Sequence, residues 1–184
     1  MHISTTAERK LKDIIARYPS PRSAVMPALY ILQEELGYIT DEGMLWVASK
    51  LHIPPSAVKE VASFYTMFHK TPVGKYHIQL CRTLSCMLSR SKFLLEKVKS
   101  RLGVKPNEVT TDGMWSYEEV ECLGSCGSGP AALINGTLFE KLTPEKLDYL
   151  MTRIEKELPD LSFSTVKESL GEGLIGIPKS EIMP

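Results

Sequence analysis

Residues 75–86 read KYHIQLCRTLSC, and this stretch predicts a β-strand that ends at a cysteine. Tyr76, Ile78 and Leu80 alternate with polar side chains, which is the period of two expected for a strand with one buried face. His77 falls on the other face of this strand and is expected to face solvent. Cys81 ends the strand and Cys86 follows in the loop before the next helix, so both thiols are expected just past a strand end.

The other two cysteines repeat this arrangement in EVECLGSCGSGP, residues 119–130. Cys122 is predicted to end a second strand, residues 117–121, and Cys126 lies in the Gly- and Ser-rich loop that follows. If the two strands are neighbours with the same direction, all four sulfurs converge at one edge of the sheet. Because the chain has only four cysteines, we expect them to act together.

The rest of this half predicts further helices and strands that alternate along the chain. Residues 89–102 have the apolar spacing of a helix with Phe93, Leu94, Val98 and Leu102 on its buried side. A third strand at residues 131–134 continues through Asn135-Gly136, a strong hairpin signal, into a short return strand. Thr143 is expected to cap a last helix. The order is β-α-β-β-α, with the return strand counted together with the third. It predicts a compact α/β domain, most simply a thioredoxin-like one, over residues 74–158.

Residues 1–73 predict a helical bundle, which makes the whole chain α+β. The first helix is expected to end at Tyr18, because a residue that precedes proline is disfavoured in the helical conformation. Gly37 is predicted to cap the second helix and Thr40 to open the third. Residues 159–184 show no period and are predicted to be a tail. The apolar side chains that define the first two helices are Leu11, Ile14, Ile15, Tyr18, Val25, Leu29, Leu32 and Leu36.

Composition excludes several classes of partner. The 184 residues carry 22 basic and 22 acidic side chains, so there is no net charge to attract nucleic acid. The segment VKEVASFYTMFHK, residues 58–70, also lacks the basic character of a DNA recognition helix. No apolar run approaches the roughly 20 residues that span a bilayer, so no direct membrane insertion is expected. The start of the chain lacks the pattern of a secretory signal, and we expect a reduced, cytoplasmic protein.

Four sulfurs can ligate one [2Fe–2S] cluster or one structural Zn²⁺, or form two disulfides. A reduced compartment disfavours disulfides. The spacings C-x4-C and C-x3-C are looser than the C-x2-C of many zinc sites and of dithiol enzymes. They favour a [2Fe–2S] cluster in which each pair takes one iron, and a zinc-stabilised interaction module stays open as the alternative. The small residues that would let backbone N–H groups approach the sulfurs are Gly124, Ser125, Gly127, Ser128 and Gly129.

Taken together, these motifs resemble a known family. KYHIQLCRTLSC, followed after 35 residues by the Cys122 pair in VECLGSC (120–126), is similar to the E-type, or 24-kilodalton, subunits of bacterial NADH:quinone oxidoreductase (respiratory complex I). These belong to the thioredoxin-like [2Fe–2S] ferredoxins. The helical segments MPALYILQEELGYI and VASFYTMF fit the same family, and the resemblance covers about residues 24–154. It implies one cluster with one pair of cysteines per iron, and the implied ligands are Cys81, Cys86, Cys122 and Cys126.

The resemblance also implies a function. The chain would be an electron-transfer subunit that exchanges single electrons with the FMN of a partner, the F-type flavoprotein that binds NADH. The sequence has no G-x-G-x-x-G motif and no P-loop, so FMN and NADH are expected only in the partner. The chain alone would therefore lack a complete active site. It would lie at the inner face of the cell membrane, held by other subunits of the larger respiratory complex.

Two points qualify the resemblance. Similar subunits occur in the diaphorase modules of NAD-linked hydrogenases and formate dehydrogenases, which are alternative parent complexes. Family members also often carry an Asn-Ala-Pro-like segment after the last cysteine. This chain has Gly127-Ser128-Gly129-Pro130 instead, so the proline is kept while the residues before it are smaller.

Overall fold

A computed structural model describes residues 3–159 and 161, and their contacts divide the chain into two compact units between Pro72 and Val73. The predicted tail, residues 159–184, lies outside the described residues except for Pro159 and Leu161. The first unit contains a 3-10 turn at Pro21–Ala24 and four α-helices: α1 (Thr5–Ile15), α2 (Val25–Leu36), α3 (Asp41–Leu51) and α4 (Pro55–Phe64).

The ends of these helices follow from local chemistry. The Thr40 hydroxyl accepts a hydrogen bond from the Gly43 N–H at 2.9 Å and opens α3, as predicted. Gly37 closes α2 with a left-handed φ of 81°, also as predicted. The prediction that α1 reaches Tyr18 is wrong. The helix ends at Ile15. The residues that follow form a tighter turn, in which the N–H groups of Arg17 and Tyr18 donate to carbonyls three residues earlier. Tyr18 is 41% exposed and lies outside the apolar face of the helix.

The second unit is a four-stranded sheet with helices. Its strand order is β2-β1-β3-β4, in which β1 and β2 are parallel and the other two pairings are antiparallel. This confirms the predicted order of elements and the parallel neighbours. One short helix, α5, was not predicted. The elements are β1 (Tyr76–Cys81), α5 (Leu84–Leu88), α6 (Ser91–Leu102), β2 (Trp115–Val120), β3 (Ala132–Ile134), β4 (Thr137–Phe139) and α7 (Pro144–Glu157).

The core of the second unit lies between the sheet and helices α6 and α7. Tyr76, Ile78 and Leu80 are buried in it, as their alternation predicted. Phe93 is 50% exposed, so its predicted burial is wrong: the buried face of α6 runs through Leu94 and Val98, which are four residues apart. Within residues 3–159 and 161, no helix is both long and apolar enough to span a bilayer.

His77 is buried, and its predicted exposure to solvent is wrong. It pairs with Ser116 of β2, whose hydroxyl lies 2.7 Å from its Nδ1, while Glu118 Oε1 lies 3.2 Å from its Nε2. The neighbouring strand thus supplies polar partners that make burial of the ring favourable. Along β1, its Cα is about 13 Å from that of Cys81, so His77 belongs to the opposite end of the strand.

A cluster of ion pairs joins α6 to α7 around Asp148. Its Oδ1 lies 2.5 Å from Arg101 Nη1 and 3.1 Å from Lys97 Nζ. The hydrogen bond from Arg101, supported by Lys97, holds the pKa of Asp148 below its ordinary value. A lowered carboxyl pKa contributes stability above the unfolded pKa of about 3.9, and this contribution is lost as the pH falls through the folded pKa.

We therefore expect Asp148→Asn to lower the free energy of unfolding at pH 7 by about 1 kcal/mol or less, since the side chain is 38% exposed and partly screened. The difference from wild type should shrink at about pH 3, where the carboxyl of the unfolded chain is protonated. Urea unfolding at both pH values measures it. Glu96→Gln is the control, because its pair with Lys92 is wider, at 3.8 Å, and more exposed. An equal loss of unfolding free energy at both pH values would show that the charge of Asp148 does not contribute to stability.

Candidate metal centre

The parallel pairing of β1 and β2 brings the two cysteine pairs to one edge of the sheet. Cys81, the last residue of β1, is in register with Val120, the last residue of β2. The N–H of Arg82 donates to the Val120 carbonyl at 3.0 Å and keeps the strand ends together. Cys122 follows two residues beyond Val120. The convergence expected from the sequence is therefore observed.

The second member of each pair is placed by the turn that follows its strand. Cys86 lies in α5, whereas the sequence predicted a loop there. The preceding Ser85 donates its hydroxyl to the carbonyl of Cys126 at 2.7 Å, which ties α5 to the second cysteine loop. Cys81 and Cys86 are buried, while Cys122 and Cys126 are exposed. The site therefore has one thiol pair within the fold and one pair at the surface.

The sulfurs are grouped as two pairs. Cys122 Sγ and Cys126 Sγ lie 3.3 Å apart, and the thiols of Cys81 and Cys86 also interact with each other. Two thiolates bound tetrahedrally to one metal at about 2.3 Å would be about 3.8 Å apart. Over the described part of the chain, no three of these sulfurs lie mutually within 4.8 Å. The arrangement thus suits two metal ions better than a single tetrahedral ion.

Backbone N–H groups surround the thiols. The N–H of Gly124 donates to Cys122 Sγ at 3.4 Å, and Gly124 has a φ of +80°, a conformation that favours glycine. Cys81 accepts from the backbone of Thr83 and Leu123. Such donors stabilise thiolates and influence the reduction potential of a bound metal centre.

The pKa directions differ within each pair. Burial raises the pKa of the Cys81 thiol, but hydrogen bonds from Thr83 and nearby backbone outweigh it, so its pKa lies below the ordinary value. Burial raises the pKa of Cys86. The Gly124 N–H lowers the pKa of Cys122, while the hydrogen bond with Cys122 raises the pKa of Cys126. Within each pair, one thiol therefore has a lowered pKa and the other a raised pKa. Because metal ligation requires thiolates, metal binding at these residues would release protons.

Three polar residues around the thiols were missed in the sequence. Thr83 Oγ1 lies 3.3 Å from Cys81 Sγ, and Ser85 bonds to Cys126 as described above. Thr83 and Ser85 both lie between Cys81 and Cys86, and this position in the sequence is a signal that could have identified them. Glu140 accepts hydrogen bonds from Ser125 and Ser128 in the second cysteine loop. No signal in the sequence marks Glu140, because only the hairpin brings it to that loop.

Comparison with known proteins identifies the family. The family model of thioredoxin-like [2Fe–2S] ferredoxins matches residues 11–155. The chain belongs to this ferredoxin family. It is 40% identical over 149 residues to the E-type subunit of the NADH-quinone oxidoreductase from Rickettsia bellii, which is 79% of this chain and 89% of the relative. It is 38% identical over 156 residues to the second subunit of the NADH-quinone oxidoreductase from Thermus thermophilus, with 82% and 86% covered.

A solved structure shares the fold of this ferredoxin. The chain superposes on part of an NAD+-reducing [NiFe]-hydrogenase in the H2-reduced state with a TM-score of 0.61. The two are 24% identical, and the match covers 71% of this chain and 22% of the hydrogenase chain. At this identity the likeness shows the fold alone.

The donor set fits the cluster for which the family is named. All four candidate ligands are thiols, the soft donors that suit iron–sulfur clusters. The second cysteine loop also packs closely against one of these thiols, because a Cβ on Gly129 would lie only 3.2 Å from Cys86 Sγ. Gly129, one of the small residues noted in the sequence between Gly127 and Pro130, therefore lies directly against a candidate ligand.

Proposed function

We propose that Cys81, Cys86, Cys122 and Cys126 hold one [2Fe–2S] cluster, with one pair of cysteines on each iron. The observation that carries the proposal is that the four thiols at one edge of the sheet fall into two pairs. In one of these pairs, the sulfurs of Cys122 and Cys126 lie 3.3 Å apart. A single zinc ion would need all four sulfurs within about 3.8 Å of one another. Family membership supports the same assignment.

The role that follows is that of an electron carrier next to a flavoprotein. When bound, a [2Fe–2S] cluster accepts and donates single electrons. The chain's own residues would provide the thiolates, the surrounding N–H donors and a surface position from which electrons can pass. The partner would be an F-type flavoprotein that holds FMN and binds NADH, within an NADH:quinone oxidoreductase. Both relatives described above are named as subunits of such a complex, which favours this parent assembly.

The proposal assigns the two halves different tasks. Residues 74–158 form the thioredoxin-like domain that holds the cluster, and residues 1–73 form a separate helical domain. The complex would lie at the inner face of the cell membrane, and this chain would reach it through partner subunits. The exposed pair, Cys122 and Cys126, would then be the side of the cluster nearer to the surface.

A second candidate is the equivalent diaphorase subunit of an NAD-linked hydrogenase. The shared fold with the NAD+-reducing [NiFe]-hydrogenase favours it. The higher identity and the greater coverage of the NADH-quinone oxidoreductase subunits favour the first candidate.

Purification of the native complex through a tag on this chain separates the candidates. We expect a complex that contains FMN and oxidises NADH with a quinone as electron acceptor. Reduction of NAD+ that depends on H2 or on formate, without quinone-linked NADH oxidation, would contradict the assignment to NADH:quinone oxidoreductase. A complex without flavin would contradict the proposed partner.

Gly129→Ala tests the contact between the second loop and the buried pair. The new Cβ would lie 3.2 Å from Cys86 Sγ, so the sulfur must move by a few tenths of an ångström. We expect the variant to keep about two irons per chain, as a [2Fe–2S] centre requires, but to show shifted EPR g-values. Gly127→Ala is the matched control, because its Cβ would meet no atom within 4 Å. Identical spectra for Gly129→Ala and wild type would contradict this contact.

A further inference from the structure

Glu140 makes an unusual set of contacts for a residue outside the cysteine segments. It follows β4 directly, and its Oε1 accepts hydrogen bonds from the hydroxyls of both Ser125 and Ser128. The two hydroxyls also lie 2.9 Å from each other. One carboxylate oxygen therefore contacts both ends of the Ser125–Ser128 turn, which contains Cys126.

The backbone next to Glu140 holds the same loop. The N–H of Lys141 donates to the Ser128 carbonyl at 2.7 Å, and the N–H of Leu142 donates to the Pro130 carbonyl at 3.1 Å. Within the turn, the Ser128 N–H donates to the Ser125 carbonyl at 3.1 Å. Residues 140–142 thus run along one side of the loop, and the Glu140 side chain continues this series of bonds toward Cys126.

The loop is held from its other side by α5. Ser85 donates to the Cys126 carbonyl at 2.7 Å, so Cys126 lies between an anchor from α5 and the Ser125–Ser128 turn. Cys126 is exposed, and packing around its side chain is therefore limited. Its position depends chiefly on these hydrogen bonds. Bonds to a carboxylate are stronger than bonds between neutral groups, which makes Glu140 the strongest acceptor in the set.

We propose that Glu140 is a positioning residue for the cluster: its carboxylate fixes the Ser125–Ser128 turn and thereby sets the place of the Cys126 sulfur relative to Cys122. This inference rests on the proposed function, because it assumes that Cys126 is a ligand. Glu140 itself does not ligate iron. It acts through two serine hydroxyls, in the way that groups behind metal ligands orient those ligands in other proteins.

Two substitutions test the role on the cluster-loaded full chain. Glu140→Ala removes both acceptor bonds, whereas Glu140→Gln keeps an oxygen that can accept from both hydroxyls. We expect Glu140→Ala to broaden the EPR signal of the reduced protein. It should also release iron to a chelator roughly tenfold faster, in line with the roughly 10–100-fold loss of metal affinity that follows when a residue behind a metal ligand is removed. Glu140→Gln should change both measurements clearly less than Glu140→Ala, because its amide oxygen still accepts from the hydroxyls, although more weakly than a carboxylate.

Glu96→Ala is the control, since it removes an exposed glutamate of the same domain whose only described ion pair, with Lys92, spans 3.8 Å. An unchanged EPR signal and iron release rate in Glu140→Ala would overturn the inference. Equal defects in Glu140→Gln and Glu140→Ala would also overturn it, because they would show that hydrogen-bond acceptance is not the cause.

The double variant Ser125→Ala/Ser128→Ala keeps the test decisive if Glu140→Ala does not fold. It removes the same bonds from the loop side and should reproduce the broadened signal and the faster iron release, and wild-type behaviour would overturn the inference. The two proposals fail differently. A wild-type chain without a cluster contradicts the proposed function, whereas a normal cluster in all these variants contradicts only the role of Glu140.

Discussion

Cys86→Ala is expected to abolish cluster binding, with iron falling from about two atoms per chain to nearly none. Cys86 is 2% exposed, so no solvent molecule can readily replace its sulfur. Alanine offers no donor atom, and the Cys81 thiol would be left without its partner on the same iron. The visible absorbance and the EPR signal of the reduced protein should disappear together. Metal analysis and EPR of the anaerobically purified variant measure this directly.

Two further variants define what the loss means. Leu88→Ala changes a side chain of the same short helix that is 78% exposed, and it should keep the full iron content. Cys122→Ser changes an exposed candidate ligand to one whose oxygen can still bind iron. It should lose the signal or alter it markedly. Full iron content and an unchanged spectrum in Cys86→Ala would show that Cys86 is not a ligand.

Gly74→Ala is expected to destabilise the second unit by about 3 kcal/mol, at the upper end of the cost of overpacking. A Cβ at this position would lie 2.4 Å from the carbonyl carbon of Trp115 and 2.7 Å from the Ser116 nitrogen. These are backbone atoms of the strand that pairs with β1, so no side-chain rotation relieves the clash. The Gly74 N–H also donates to the buried Ser116 hydroxyl at 2.8 Å, and a shift of the backbone would break this bond.

Urea unfolding of the metal-free chain measures the effect of Gly74→Ala without a contribution from the cluster. The matched control is Gly127→Ala, whose Cβ would meet no atom within 4 Å. We expect its free energy of unfolding to stay within about 0.5 kcal/mol of wild type, as for most surface substitutions. If Gly74→Ala behaved like Gly127→Ala, the close approach of Gly74 to β2 would be wrong.

Much of the fold follows from patterns within a few residues. Alternation in KYHIQL predicts which face of β1 is buried, and helix caps such as Thr40 depend on one local hydrogen bond. The convergence of the cysteines needed one further assumption, that the first two strands are parallel neighbours. The pairing of Cys81 with Val120 confirms that assumption.

The burial of His77 and the contacts of Glu140, both missed in the sequence, depend on residues that are distant along the chain. His77 looks like a solvent-facing strand residue until the register of β2 places Ser116 and Glu118 beside it. Glu140 looks like an ordinary surface glutamate until the β3–β4 hairpin carries it to the second cysteine loop. Short-range periodicity contains no information about either contact, because both are set by strand pairing.

Iron and sulfide analysis of the anaerobically purified chain, together with EPR after dithionite reduction, tests the cluster assignment most directly. The two separated thiol pairs predict about two irons and two sulfides per chain, as a [2Fe–2S] centre requires. They also predict one EPR signal that integrates to about one spin per chain, because reduction adds a single electron to the pair of irons. A colourless, EPR-silent protein that holds one zinc ion per chain would contradict the assignment of a [2Fe–2S] cluster.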